Sequence, residues 1–397
     1  MTASEEYLDR YERSVMGVFG RPALVLERGE GCWVWDVDGK RYLDLLGGIA
    51  VNALGHNHPA VVGALSKQAG ELVHMSNFFT SPAQIELAER LLTLSRAPEG
   101  SAVFFANSGA EAIEAAIKLS RRTGRTEILA LENAFHGRTT GALALTHKAA
   151  YREPFEPLIP GVRHLSPNDI DALDAAVTDE TAALVLEPMQ GEAGVVPLTT
   201  EYLQAARGIT REHGALMVVD EIQTGIGRTG EWFDHQRAGI LPDAMTLAKG
   251  LGGGVPIGAL VAFGAEVAQL LSAGQHGTTF GGNPLAAATA LAVLDTIDTQ
   301  NLLPHVKRVG DHVAHRVEAL SHTSIAGTRG TGLLRAIVLT EPIAPAVAVL
   351  ARDAGFIVNP VAPDTIRLAP PLIITTAELD LFVDALPGLL DAAKETP

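Results

Sequence analysis

The chain has 397 residues, 47% of them hydrophobic, which is enough for a large buried core and too long for one ordinary domain. Its 30 Lys and Arg against 46 Asp and Glu give a formal net charge of −16, which argues against nucleic-acid and anionic-membrane partners. Because the acidic N-terminus lacks the pattern of a secretion signal and no apolar run is long enough for a membrane span, we expect a cytoplasmic protein.

The first 60 residues predict an antiparallel element. Two short apolar segments, residues 33–37 and 41–45, flank Asp38 and Gly39, a dipeptide that favours a tight hairpin turn. The single cysteine, Cys32, cannot form an internal disulfide and is interpreted as a small structural residue.

From about residue 60, short apolar runs alternate with segments of helical periodicity, which predicts an α/β fold with a mostly parallel sheet. Small or charged residues follow each run. In such sheets ligands bind beyond the carboxyl ends of the strands, so these followers should converge on one crevice. The runs are residues 102–105, 127–131, 182–186, 216–219 and 244–247.

Beyond Pro284 the pattern predicts a long helix, and mixed segments follow from about residue 300. We therefore expect an N-terminal segment (residues 1–60) that packs with a smaller α+β domain (298–397), and a large cofactor-binding domain (61–297).

Three of the residues that follow strands suggest a cofactor site. A helix predicted to begin at Gly109 offers free N–H groups to a phosphate, although Ser108 and Gly109 are also an ordinary helix cap. Asp220 ends an apolar strand and needs a cationic partner, for which a protonated pyridine nitrogen is suitable. Lys249, in a desolvated pocket, would have a lowered pKa and could attack an aldehyde. Asp220 and Lys249 could each also be a structural ion-pair member.

The motifs VDEIQTGIGRTG at 219–230 and AKG at 248–250 resemble the signature of class III pyridoxal-phosphate aminotransferases of fold type I. The segments at 107–112, 135–139, 187–192 and 277–284 occur in the family's order, so the resemblance covers most of the chain. Within the family, residues 47–59 most resemble the acetylornithine aminotransferases. These transfer an amino group between glutamate and N-acetylglutamate semialdehyde in arginine biosynthesis.

The resemblance implies roles for the residues around the cofactor. Lys249 would form a Schiff base with pyridoxal phosphate and shuttle a proton, while Asp220 pairs with the pyridinium nitrogen. Gln223 would contact the phenolic oxygen, and Phe135 and Ile222 the two ring faces. Ser108, Gly109 and Ala110 would hold the phosphate. Thr279, with Thr278 beside it, would reach that phosphate from the other subunit of a homodimer with shared active sites.

Two arginines would then serve two substrates. The resemblance implies that Arg138 binds the α-carboxylate of the ω-amino substrate and Arg367 that of glutamate. Glu192 would pair with Arg367 when the ω-amino substrate is bound. Without the resemblance, a salt bridge at a domain interface would be the favoured interpretation of Arg367.

Several alternatives remain open. The amino donor could be ornithine, succinyldiaminopimelate, carrier-linked lysine or 4-aminobutyrate in place of N2-acetyl-L-ornithine. An aminomutase or decarboxylase would need no glutamate site. A nicotinamide oxidoreductase is suggested by the glycines at 225–230, but polar residues separate them from the strand and a carboxylate pair there would repel a pyrophosphate. His56 and His58 lack enough nearby ligands for a metal site, so none is predicted.

Overall fold

The structure is a computed structural model that describes residues 2–395 and opens with a small antiparallel sheet. Strand β2 pairs with both β1 and β3, and the turn between β2 and β3 contains Asp38 and Gly39, which confirms the predicted hairpin. The elements of this part are α1 (Ala3–Ser14), β1 (Leu26–Glu30), β2 (Trp33–Asp36), β3 (Arg41–Asp44), α2 (Gly47–Ala50), α3 (Pro59–Ala69) and α4 (Pro82–Leu94).

The middle of the chain alternates strands and helices. Its elements are β4 (Ala102–Ala106), α5 (Gly109–Arg121), β5 (Glu127–Leu131), α6 (Thr140–Leu145), α7 (Ala149–Arg152), β6 (Val162–Leu165), α8 (Ile170–Ala176), β7 (Thr181–Leu186), β8 (Met189–Gln190), β9 (Val196–Pro197), α9 (Thr200–Glu212), β10 (Leu216–Asp220), β11 (Ala244–Leu247), β12 (Gly258–Ala262), α10 (Ala265–Ala268) and α11 (Pro284–Thr299). Short 3-10 helices lie at Glu153–Phe155, Asp234–Gln236 and Lys249–Leu251.

Seven of these strands form the central sheet in the order β4-β12-β11-β10-β7-β5-β6. Only β12 runs antiparallel to its neighbours, so the sheet is mostly parallel, as predicted. Each of the five predicted strands is present. Strands β6 and β12 were not predicted, because β12 begins with a glycine after a glycine-rich turn and β6 carries Arg163 and His164.

Strand β10 shows how the sheet orients the site. Its side chains alternate between two cores: Leu216 and Val218 pack on the side of α5, whereas Met217 and Val219 pack on the side of α9. Asp220 is the next residue in the first series. Its carboxylate therefore leaves the strand on the face where α5 begins.

The last part of the chain forms the predicted smaller α+β unit. Its elements are α12 (Leu302–Ala319), β13 (Ile325–Thr331), β14 (Leu334–Leu339), α13 (Ala344–Asp353), β15 (Phe356–Ile357), β16 (Asn359–Ala362), β17 (Thr365–Leu368) and α14 (Thr376–Glu395). Four strands form an antiparallel sheet in the order β13-β14-β17-β16. Strand β15 instead pairs with β3. The predicted division of the chain after residues 60 and 297 stays a prediction. That prediction requires a contact between the first and last parts of the chain, and the pairing of β3 with β15 is such a contact.

Within residues 2–395, no helix has both the length and the apolar character that a membrane crossing requires.

Candidate active site

A cavity of about 440 Å³ lies at the carboxyl ends of the parallel strands. The residues that follow β4, β5, β7, β10 and β11 all contribute to its wall, as expected for a ligand site in an open α/β sheet. The predicted site residues that line it are Ser108, Gly109, Ala110, Phe135, Arg138, Glu192, Asp220, Ile222, Gln223 and Lys249.

The start of α5 forms one wall of the cavity. The Ser108 hydroxyl accepts a hydrogen bond from the Glu111 N–H at 3.2 Å, so it caps the helix. The backbone N–H groups of Gly109 and Ala110 donate no hydrogen bond to any residue between 2 and 395. A Cβ on Gly109 would lie 2.7 Å from the Cδ1 atom of Ile222, so glycine allows this side chain to pack directly on the helix start. These free N–H groups at a helix N-terminus suit an anion such as a phosphate.

Asp220 is held by a buried histidine. Its side chain is 3% exposed, its Oδ2 atom lies 2.7 Å from the Nδ1 atom of His136, and its Oδ1 atom accepts from the Ile222 N–H at 3.0 Å. Burial lowers the pKa of His136, but the hydrogen bond and the charge of Asp220 raise it more, so the net shift is upward. The shift favours the protonated imidazole, which can donate its Nδ1–H to the Asp220 carboxylate.

His136 and Glu187 are site residues that the sequence analysis did not single out. Glu187 follows β7 directly, and its carboxylate accepts hydrogen bonds from the N–H groups of Phe135 at 3.0 Å and Gly191 at 3.3 Å. Burial raises the pKa of Glu187 to about 7, with His136 lowering it and Asp220 raising it. The signal that selected Asp220, a polar residue at the end of a buried strand, applies equally to Glu187.

Lys249 follows β11 and opens a short 3-10 helix with a left-handed backbone, φ +43°. Such a conformation is strained for a residue with a side chain and occurs often at functional sites. Burial lowers the pKa of Lys249 to about 8, while Glu192 raises it, Arg367 lowers it and Asp220 raises it. A larger fraction of this amine is therefore neutral near pH 7 than for an exposed lysine.

Arg367 enters the site from β17 and is 1% exposed. Its Nη1 atom donates to Glu192 Oε1 at 2.6 Å and to Gln223 Oε1 at 3.1 Å, and its Nη2 atom donates to Asn359 Oδ1 at 2.8 Å. Burial alone would raise the pKa of Glu192, but Arg367 and then Lys249 lower it more. The structure thus contains the expected Glu192–Arg367 pair and adds Asn359, which the sequence analysis missed.

Arg138 lines the cavity and is exposed. Its guanidinium carbon lies 3.5 Å from the ring centre of Tyr151 and 5.7 Å from that of Phe135. A second cavity of about 860 Å³ adjoins the first, and Phe135, Arg138, Glu192 and Lys249 line both. The side chain is therefore placed where a substrate would enter.

Three predicted residues lie outside the cavity wall of the single chain: Arg367, which reaches the cavity through Glu192 and Gln223, and the two threonines Thr278 and Thr279. Thr278 accepts a hydrogen bond from the Asn107 side-chain amide at 3.0 Å, and Thr279 is exposed. The prediction that Thr279 reaches the cofactor phosphate from a second copy stays a prediction.

The discounted motifs have structural roles. Glu221 accepts from the His235 N–H at 2.7 Å on the side of β10 away from Asp220, and only turns follow β10 until the 3-10 helix Asp234–Gln236. The glycines at 225–230 thus do not open an α-helix, which the dinucleotide motif requires. His56 contacts Asp44 at 2.8 Å, and His58 caps α3. Between residues 2 and 395, no group of three or more His, Cys, Asp or Glu could hold a metal ion.

Comparison with known proteins identifies the fold and its chemistry. The family model of class-III aminotransferases matches residues 18–390. The chain belongs to this family. Class-III aminotransferases depend on pyridoxal phosphate and act on amino acids and 2-oxo acids, so the predicted enzyme class, cofactor and substrate types are confirmed.

Individual relatives of this class-III aminotransferase cover nearly the whole chain. An acetylornithine aminotransferase from Streptomyces coelicolor is 54% identical over 395 residues, which are 99% of this chain and 98% of the relative. A crystal structure of an acetylornithine aminotransferase from Elizabethkingia anophelis has a TM-score of 0.87 at 34% identity, covering 98% of this chain and 100% of the other. The ornithine aminotransferase from Toxoplasma gondii has a TM-score of 0.93 at 30% identity, covering 100% and 97%.

Proposed function

We propose that this aminotransferase transfers the distal amino group of N2-acetyl-L-ornithine to 2-oxoglutarate. The products are N-acetyl-L-glutamate 5-semialdehyde and L-glutamate, a step of arginine biosynthesis. Two observations support the proposal. The first is the 54% identity to a relative named acetylornithine aminotransferase. The second is a cavity lined by a free arginine, a lysine of lowered pKa and Glu192, whose carboxylate masks a second arginine, Arg367.

The residues present fit pyridoxal phosphate. The free N–H groups of Gly109 and Ala110, with Ser108, would hold its phosphate, and the Asp220 carboxylate would pair with its ring nitrogen. Phe135 and Ile222 would contact the ring faces, and Gln223 would contact the phenolic oxygen if its bond to Arg367 rearranges. When bound, the cofactor supplies an electron sink that stabilises negative charge on the substrate carbon.

Lys249 would carry the cofactor and act as the proton carrier. With its pKa lowered to about 8, the amine can accept a proton from the substrate and return it near neutral pH. His136, hydrogen-bonded to Asp220 at 2.7 Å, would keep that carboxylate oriented. Lys249 and Asp220 are therefore the proposed catalytic residues, and His136 is a positioning residue.

The arrangement of the two arginines is the observation that carries the dual substrate specificity. Arg138 has no carboxylate partner within residues 2–395 and can bind the α-carboxylate of an ω-amino acid, which directs the distal amine toward Lys249. Arg367 is neutralised by Glu192 in the same structure. Glutamate would displace Glu192 and bind Arg367 through its α-carboxylate.

We propose a homodimer with shared active sites, located in the cytoplasm. The loop that contains Thr278 also carries Phe280, whose side chain is 58% exposed. The Thr278 carbonyl oxygen accepts a hydrogen bond from the Asn77 side chain. The two residues after Asn77, Phe78 and Phe79, are 92% and 72% exposed. Exposed aromatic side chains grouped in this way are typical of a protein interface. A monomeric mass in light scattering at micromolar concentration would contradict the proposed dimer.

A panel of amino donors assayed with 2-oxoglutarate tests the proposed reaction. The panel contains N2-acetyl-L-ornithine, ornithine, succinyldiaminopimelate, carrier-linked lysine and 4-aminobutyrate. N2-acetyl-L-ornithine should give the highest kcat/KM. A higher value for another donor would reassign the substrate, and the absence of glutamate formation with every donor would refute an ω-aminotransferase.

A further inference from the structure

Tyr151 lies beneath the free arginine of the substrate site. The guanidinium carbon of Arg138 is 3.5 Å from the centre of the Tyr151 ring, within the range of a cation–π contact. Stacking engages the face of the planar guanidinium and leaves its N–H groups, which point outward from its edge, free for a carboxylate. The Tyr151 hydroxyl has no hydrogen-bond partner within residues 2–395, so Tyr151 contacts Arg138 through its ring alone.

Two further cations lie in the same segment. Lys148 has its Nζ atom 4.7 Å from the centre of the Tyr151 ring, and Arg152 ends the short helix α7. The Nε atom of Arg152 is buried without a hydrogen-bond partner among residues 2–395. Neither side chain forms an ion pair with any carboxylate in that range, although the chain carries a formal net charge of −16.

Lys148, Tyr151 and Arg152 line the cavity of about 860 Å³ together with Arg138. The one carboxylate on this wall, Glu192, is already bonded to Arg367. Unpaired cations grouped at one cavity in an acidic protein create a local positive potential, which attracts anionic ligands. A solvated basic surface would explain exposed lysines, but it does not explain a buried and unpartnered guanidinium nitrogen.

We propose that Tyr151, Lys148 and Arg152 complete a carboxylate subsite with Arg138. Tyr151 is a positioning residue that holds the guanidinium of Arg138, and Lys148 and Arg152 are additional specificity-determining cations. The ligand is the carboxylate at the end of a substrate remote from Lys249. That carboxylate is either the α-carboxylate of the ω-amino acid or the distal carboxylate of a dicarboxylic acid such as glutamate. This assignment rests on the proposed aminotransfer reaction.

The role of Tyr151 is tested with a pair of variants in the cofactor-loaded enzyme. Tyr151→Leu removes the aromatic ring and should raise KM for N2-acetyl-L-ornithine by roughly two- to fivefold, with kcat changed less than KM. Tyr151→Phe keeps the ring and should restore the wild-type KM. An equal loss in both variants, or a fall confined to kcat, would overturn the positioning role.

The two cations are tested with the double variant Lys148→Gln/Arg152→Gln. Lys394→Gln/Arg211→Gln, which alters two exposed cations that line neither site cavity, is the control for net charge. The first variant should raise KM by about fivefold at low salt and less at high salt, and the control should not change it. Half-reactions with N2-acetyl-L-ornithine and with glutamate, measured separately, show which carboxylate the subsite takes.

Binding of glutarate, a dicarboxylate without an amino group, separates the subsite from the reaction. Glutarate should bind the wild-type holoenzyme more tightly than the double variant in a calorimetric titration. If the wild type transferred no amino group but still bound glutarate more tightly, the proposed function would fail and the subsite would stand. If Tyr151→Leu, the double variant Lys148→Gln/Arg152→Gln and the wild type shared the same KM values and the same glutarate affinity, the subsite would be refuted.

Discussion

Replacing Glu192 should shift this enzyme toward glutamate. The Glu192 carboxylate lies 2.6 Å from Arg367, whose side chain is 1% exposed, while Glu192 itself is 35% exposed. A hydrogen bond between charged groups contributes about 1.5–3 kcal/mol, and solvent screening at Glu192 reduces this to about 1–2 kcal/mol. Glutamate must break this bond before it can occupy Arg367. Removing the competitor should therefore improve glutamate binding by roughly 5- to 30-fold.

The assay is the isolated half-reaction of the cofactor-loaded enzyme with each amino donor, followed by cofactor absorbance. Glu192→Ala should raise kcat/KM for glutamate relative to that for N2-acetyl-L-ornithine, whose carboxylate is assigned to Arg138. Glu192→Gln, which retains a neutral acceptor for Arg367, should give a smaller shift, and the exposed Glu201→Gln is the charge control. A ratio that stays at the wild-type value in both Glu192 variants would refute the masking of Arg367.

Three other replacements test separate parts of the site. Lys249→Ala should abolish the borohydride-fixed link between protein and cofactor. Because burial lowers the pKa of Lys249 from 10.5 to about 8, capture of pyridoxal phosphate by the wild-type apoenzyme should accelerate as pH rises, with a midpoint near 8; a midpoint near 10.5 would contradict the buried amine. Arg138→Ala should slow the half-reaction with N2-acetyl-L-ornithine more than that with glutamate, and equal losses would count against its role. Gly258→Ala places a Cβ 2.3 Å from the Ser108 carbonyl oxygen, so this variant should lower the free energy of unfolding by about 1–3 kcal/mol and weaken cofactor binding. The control is Gly63→Ala, which has open space at its Cβ. In urea unfolding, the control should not lower the free energy of unfolding.

The positions of Asp220 and Lys249 followed from the sequence because both residues end apolar runs of a parallel sheet. That geometry brings strand ends together whatever the details of packing. The same rule applies to Glu187, which follows β7 directly, but it was used only for the residues that matched a cofactor group. His136 lies in the loop after β5 and was missed because its role depends on a 2.7 Å contact with Asp220 of β10, and no local pattern encodes such a contact.

The second substrate arginine was accessible only through resemblance to a family. Arg367 lies on a strand of the smaller sheet, and its partners Glu192 and Gln223 come from distant parts of the chain. Without that resemblance, the sequence favours a salt bridge between domains for this arginine. Strand β12 was missed for a different reason: its pairing with β4 and β11 compensates for a glycine that weakens local strand propensity.

The pairing of β3 with β15 has a consequence for synthesis of the chain. Leu43 and Asp44 are synthesised long before their partners Phe356 and Ile357. Until then, β3 presents the unpaired edge of a three-stranded sheet, which is an open template for contacts with other chains. Nascent or truncated chains that end before β15 should therefore aggregate more readily than the full-length protein, and chaperones that protect sheet edges should act on the N-terminal hairpin.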